Sequence, residues 1–334
     1  MKNISMPFAH IFDQTDDEII KATARYIRVT AEQYTRHPVL PNTLRIIRQR
    51  LRYLVDNEFL IVSRGFSHNS TPPRVYSPTL KGWRYAQEQH GLPIPRRWRP
   101  NEAQLSDFHE YLHDLTITDS ALALEALCSD APSTCRLKEF VHDRFLPQPK
   151  LKLANGTEQA VRLDAFLQLA LRRDGFAKPI KRTALLEVDR RSHYRVALTN
   201  KFLAQIAYVQ GGHFEQQFHT PSVLYWWVCP QGEQRVNELK TLLESLMREY
   251  HLSDYAPMFL LTSCDPARTD PFRLFLEPTS SVPFREEPVS LLPYAPLAAV
   301  QPEQSRYLPQ EQYASFMATP SDALPFLSAE ASHN

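Results

Sequence analysis

Three short runs, "TALLEVDRR" (183–191), "SVLYWWVCP" (222–230) and "APMFLLTSC" (256–264), are strongly apolar until their ends, and amphipathic helical segments separate them. Apolar runs of this length read as buried strands, so the alternation predicts a sheet sheltered by helices. Between the first two, "RVALTNKFLAQIAYVQGG" puts Leu198, Phe202, Ile206 and Val209 on a buried helical face. Lys201, Gln205 and Tyr208 fall on an adjacent polar stripe, and Gly211 and Gly212 end the helix. "GEQRVNELKTLLESLMREY" is the second amphipathic helix.

Upstream, "EQAVRLDAFLQLALRRDGF" alternates Val161, Leu163, Ala165, Leu167 and Leu169 against Arg162, Asp164, Phe166 and Gln168, the period of a half-buried strand with Asp164 on its more polar face. The turn at "RRDG" and the basic "KPIKR" lead back into "TALLEVDRR", which predicts neighbouring strands. Period two then sets Glu187 and Asp189 on one side. "CRLKEFVHDRF" reads as a further strand and "AQLSDFHEYLHDLTITDSALALEALCSD" as a helix with Leu105, Leu112, Leu115, Leu122 and Ala126 at helical spacing.

The N-terminal part has a different character. "TDDEIIKATARYIRVTAEQYTRHP" predicts a helix capped by Thr15, with Ile19, Ile20, Ala24 and Ile27 in register. "NTLRIIRQRLRYLVDNEFL" sets Leu44, Ile47, Leu51, Leu54 and Val55 against a basic stripe of Arg45, Arg48, Gln49 and Arg52. "LIVSRG" and "RVYSPT" then read as two strands around "FSHNSTPP", and "LKGWRYAQEQ" as a closing helix. Helices followed by a two-stranded ribbon predict a winged helix, with Arg45, Arg48, Gln49 and Arg52 in a DNA groove and Arg64, His68 and Arg74 on phosphates. A solvated helix face, or a winged helix that docks proteins, is the competing reading.

The formal charge is +1, yet the first hundred residues carry roughly twice as many basic as acidic side chains, and the last fifty or so are acidic and rich in Pro. Duplex DNA is therefore the partner expected at the N-terminal part. The three prolines of "GLPIPRRWRPNE" mark a linker. The expected domains are residues 1–95, 96–278 and a Pro-rich tail, 279–334, that straps the protein or docks a partner.

Several classes are excluded or disfavoured. No run approaches the ~20 apolar residues of a membrane span, and the N-terminus lacks a signal-peptide pattern, so no membrane association and a cytoplasmic location are expected. The four cysteines, 128, 135, 229 and 264, follow no zinc or disulfide spacing and read as reduced, mostly buried thiols. With eight glycines and neither nucleotide-binding glycine motif, no nucleotide cofactor is expected. Tyr225 to Trp227 could stack nucleobases, but their apolar flanks assign them to the sheet core. "HEYLH" (109–113) matches H-E-x-x-H, the helix motif of zinc peptidases, with Glu125, Glu139 and His142 as nearby third ligands; a packed His113 is the alternative.

Asp164, Glu187 and Lys201 can converge at one end of the predicted sheet. Two carboxylates there would bind Mg²⁺ or Mn²⁺, with Lys201 orienting the attacking hydroxide and Gln205 and Tyr208 holding phosphate or water. At this point the sequence resembles the PD-(D/E)XK nucleases: "RLDAF" matches the first half-motif with Leu163 in place of Pro, and "LEVDR" matches the second. Asp189 stands where that family carries its Lys. The resemblance therefore implies either a Lys moved to the helix, Lys201, or a site that has lost catalysis; metal ligation would fall to Asp164, Glu187 and Asp189. The whole order, "RLRYLVDNEFL", "RVYSPTLKGWRYA", "HDLTITD", "RLDAFLQL" and "LEVDR" with a downstream Lys and Tyr, is similar to the replication-relaxation family of plasmids and other mobile elements, over roughly residues 15 to 265. That likeness implies a DNA-binding accessory factor in element replication, relaxation or mobilisation, with the tail reaching replication or relaxosome proteins. A catalytically dead nuclease fold that docks proteins is the alternative.

Overall fold

The structure, a computed structural model, describes residues 13–41, 43–64, 73–95, 108–130, 135–172, 179–190, 195–220 and 223–292. The chain forms two compact units, Met1–Thr118 and Asp119–Asn334.

The first unit opens with α1 (Gln14–Tyr26). Its cap is Asp13 rather than Thr15: the Asp13 carboxylate accepts the Asp16 N–H at 3.0 Å, as a capping side chain does three residues before its donor. Ile27 is not helical. It ends α1 at a positive φ of 69°, with its N–H bonded back to the Thr23 carbonyl and the Arg28 N–H closing a tight turn onto the Tyr26 carbonyl at 2.7 Å. β1 (Val29–Thr30), the single turn α2 (Ala31–Tyr34) and α3 (Leu44–Asp56) follow, and α3 buries Ile47, Leu51 and Leu54. β2 (Leu60–Arg64) and β3 (Arg74–Pro78) pair antiparallel, with β1 on the far edge of β3. α4 (Leu80–His90) closes the unit over Trp83. Gly82 is required there, because a Cβ would lie 2.2 Å from the Phe59 carbonyl oxygen. The first turns of α5 (Phe108–Asp130) belong to this unit and are tied to it by Arg28, whose guanidinium pairs with Glu110 at 3.1 Å and with Asp114.

The second unit holds a mixed six-stranded sheet flanked by helices. Its strands are β4 (Cys135–His142), β7 (Ala165–Leu171), β8 (Ile180–Val188), β9 (Leu224–Val228), β10 (Phe259–Thr262) and β11 (Ser280–Ser281), and β5 (Lys150–Lys152) with β6 (Glu158–Ala160) forms a separate hairpin. The order is β11-β10-β9-β8-β7-β4, parallel for β8, β9 and β10 and antiparallel elsewhere. α6 (Arg195–Gln210), α7 (His213–Phe218) and α8 (Glu233–Glu249) pack Leu198, Phe202, Phe214, Leu239 and Leu243 against Leu185, Tyr225, Trp227 and Phe259. On the opposite face Phe275 of α9 (Pro271–Leu276) meets Trp226 edge-on. Among the described residues no helix is long and apolar enough to cross a membrane.

Two expectations change. Residues 161–164 precede β7 instead of belonging to it; within β7, Ala165, Leu167, Leu169 and Leu171 are buried on one face, while on the other Phe166 is buried and Gln168 and Ala170 are half-buried. The Pro-rich stretch is also not irregular from residue 279: β11 pairs with β10, and Val282, Val289, Leu291 and Leu292 are buried. The Phe284 N–H reaches Glu244 of α8 at 2.8 Å and Lys240 donates to the Arg285 carbonyl, so residues 284–285 are tied to α8, while Val289 bonds back to Ser280 and Leu292 to Phe275. Residues 293–334 lie outside the described residues.

Candidate functional site

In the second unit, Ala165 pairs with Leu186 in an antiparallel register, so Asp164 comes opposite Glu187 on the next rung. Both share the face covered by α6, since Phe166 and Leu185 lie in the core beneath that helix. Asp164 turns its carboxylate onto the Val188 N–H at 2.7 Å, at the last residue of β8. Glu187 has no exposed surface. α6 supplies its partners from one stripe: the Lys201 ammonium stands 2.5 Å from one carboxylate oxygen, and the Gln205 amide donates to the other at 2.7 Å. Lys201 also lies over the Trp227 ring, 5.1 Å from its centre.

Burial pushes the Glu187 carboxyl up to about 8, opposed by Lys201, reinforced by the negative charge of Asp164 and opposed again by the Gln205 amide. Lys201 is shifted oppositely: burial lowers it, but Asp164 and Glu187 outweigh that and raise it. Lys201 is thus set beside the carboxyl groups of Asp164 and Glu187 in a nearly dry recess, where Glu187 keeps its proton to about pH 8. Among the described residues, Glu187 Oε2 has no properly directed hydrogen bond despite its ion pair, and Gln205 Oε1 is buried with no donor.

Asp189, expected beside Glu187 as a third ligand, is buried on the same side but engaged elsewhere. Arg235, in the first turn of α8, binds it at 2.5 Å and binds Glu238 at 2.9 Å. Arg190, a neighbour that could have paired with Asp189, is instead set among the charges of Asp265 and Asp119. Tyr208 also departs from its expected place. Its hydroxyl donates to Gln217 of α7 at 2.5 Å.

Hard oxygen donors are what Mg²⁺ takes, and it needs only one or two carboxylates, keeping waters on its other positions. Asp164 and Glu187, with Gln205 Oε1 unpartnered nearby, fit that requirement. They do not make a closed cage: among the described residues no three of His, Cys, Asp and Glu gather as a metal site. Lys201 now supplies the positive charge that such an ion would bring.

In the first unit, Arg45, Arg48, Gln49 and Arg52 are exposed on α3. Arg48 pairs with Glu32 at 3.0 Å and Arg52 with Asp56 at 4.0 Å, both on open surface where such pairs are weak. Arg64 and Arg74 stand directly opposite each other where β2 and β3 meet their loop. Tyr76, on the same face of β3, is raised by its burial and lowered by Arg74 and Arg48, which ties the ribbon to the α3 face. His68 lies outside the described residues.

"HEYLH" runs along α5, and Glu110, its acid, is paired with the buried Arg28 while His113 Nδ1 is 3.6 Å from Asp114. The His109 side chain and its surroundings are outside the described residues. All four cysteines are free; Cys135, Cys229 and Cys264 are buried, and Cys128 and Cys135 bring their sulfurs to 3.0 Å. Tyr225, Trp226 and Trp227 are sheet core.

Sequence reading did not find Arg235. One signal was available: a cation in the first turn of a helix opposes the helix dipole and calls for an anion to hold it. Compared with family models, curated proteins and solved structures, the chain has no match to a family model, to a curated protein or to a solved structure.

Proposed function

We propose that this protein is a duplex-DNA-binding accessory factor of a plasmid or other mobile element, with a winged-helix reader in its first unit and a PD-(D/E)XK-like centre in its second. The observation that carries DNA binding is the like-charged rung of exposed Arg64 and Arg74. Two arginines directly opposite on antiparallel strands repel, and a phosphate between them turns that cost into attraction. The finer reading of the centre is supported by Asp164, Glu187, Lys201 and Gln205 meeting at one strand end, with the Lys on a helix instead of the strand. Asp164 and Glu187 would hold Mg²⁺ or Mn²⁺, which would neutralise charge on the scissile phosphate and activate water. Lys201 would then be released from Glu187 toward the phosphate, and Gln205 would keep the Glu187 carboxylate oriented.

A second reading is a nuclease fold that has lost catalysis and serves as a scaffold. It is favoured by the internal ion pairs, because Lys201 on Glu187 and Arg235 on Asp189 already place a protein cation against each of these groups.

The test titrates Mg²⁺ and Mn²⁺ against supercoiled, linear and single-stranded DNA with wild type and Glu187→Ala, and measures duplex affinity against salt for wild type and Arg48→Ala/Arg52→Ala. Metal-dependent nicking that vanishes in Glu187→Ala is expected for an active centre, whereas intact DNA with retained binding establishes the scaffold. The double Arg variant should flatten the slope of log K against log salt by about 2, from ~0.9 per lost phosphate contact. An unchanged slope removes α3 as the DNA face.

A further inference from the structure

The exposed arc of α3 holds Arg45, Ile46, Arg48, Gln49 and Arg52, while Ile47, Leu51 and Leu54 fill the buried side. Ile46 is the apolar member of that arc and leaves 43% of its surface in solvent. A solitary exposed Ile means little by itself. Its company gives it meaning. It stands among three arginines, and the neighbouring ribbon face repeats the pattern, with Val62 38% exposed two residues before Arg64 on the same side of β2. A basic face with apolar contact points suits the DNA major groove, where phosphates flank base edges that include the thymine methyl.

We propose that Ile46 and Gln49 read A·T pairs in that groove: Ile46 packs against a thymine methyl, and the Gln49 amide donates to adenine N7 with its N–H and accepts from adenine N6 with its oxygen. The assignment rests on the DNA-binding reading above and adds the base class that it selects. Residues three apart on a helix are neighbours with Cβ atoms about 5–6 Å apart, and bases step ~3.4 Å along a strand, so the two side chains can address one A·T pair or two in succession. The chemistry is specific to each side chain. Gln offers one donor and one acceptor in the spacing that adenine presents, whereas the arginines on either side have donors only and are suited to phosphates or guanine. The first turn of α3 contains no acidic residue, and the acids Glu32 and Asp56 near this arc are paired with Arg48 and Arg52 on open surface.

The experiment selects duplexes from a randomised pool with the full-length protein, then measures the affinity of wild type, Ile46→Ala, Ile46→Thr and Gln49→Ala. Each is tested on the best duplex, on the same duplex with deoxyuracil for thymine, and on one with 7-deazaadenine for adenine; thermal melting checks that each variant is folded. A·T pairs should be enriched at one or two adjacent positions. Losing the methyl or truncating Ile46 should each cost about fourfold, and the two together no more than either alone. Gln49→Ala and 7-deazaadenine should likewise share one loss of about tenfold. Losses that multiply, or duplex binding with no enriched base, would overturn the base assignment and leave a phosphate-only face. Failure of wild type to bind any duplex would remove the DNA-binding reading as well.

Discussion

Glu187 has no exposed surface, and burial of that degree favours the neutral carboxyl even with Lys201 against it. Its carboxyl titrates near 8 where the ordinary value is 4.5, so between these limits the folded protein holds a proton that the unfolded chain has released. Stability supplied by that proton is complete below the ordinary value and declines as pH rises through about 8. Lys201, raised above its ordinary 10.5, stays charged in both states across this window and adds no slope. Urea unfolding at several pH values should therefore show wild type losing stability from about pH 5 to about pH 8, and Glu187→Gln losing much less. An equal slope in the variant would assign the titration to another group. This centre was largely legible in the sequence, because period two fixes which side Glu187 faces and the spacing of Lys201 and Gln205 fixes one helical stripe. Arg235 was not: its contact with Asp189 spans 46 residues, and local reasoning offers only adjacent arginines as partners.

At the scale of elements, the ribbon of β2 and β3 carries a conflict between folding and recognition. Arg64 and Arg74 are exposed and opposite each other, an arrangement that costs a few tenths of a kcal/mol to about 1 kcal/mol in the free protein. Arg64→Thr should therefore leave the melting temperature unchanged or slightly higher while weakening duplex binding several-fold, measured by thermal melting and by titration of labelled duplex. A drop in stability with binding intact would mean that the pair is not a phosphate clamp. The elements that the sequence announced most clearly are the long periodic helices α3, α6 and α8 and the apolar runs of β8 and β9. β5 and β6 were invisible because strands of three residues, "KLK" and "EQA", are too short to establish a period and half of their side chains are charged. The six-residue 3₁₀ segment 253–258 ahead of β10 was equally hidden, since Pro257 and the apolar residues around it read as the start of the strand.

Across the whole molecule, the near-zero formal charge conceals where attraction to an anion is concentrated, so the salt dependence of DNA binding should follow the arginines of α3 and the β2–β3 ribbon and not the net charge. The six-stranded sheet has another molecule-wide property. Among the described residues β4 and β11 are its margins. β4 breaks its pairing with β7 between Leu137 and Glu139, where Lys138 is the extra residue, and it displays Arg136, Lys138 and Glu139 outward. β11 is only two residues long. Deleting Lys138 should restore an even ladder and produce larger species that grow with protein concentration in size-exclusion chromatography; an unchanged elution profile would mean that the irregular rung has no such effect. Among the described residues, the irregular rung of β4 and the shortness of β11 work against pairing of a foreign strand at either margin of this sheet. A partner of this sheet's unit is then selected by the side chains it meets and not by extension of the backbone ladder.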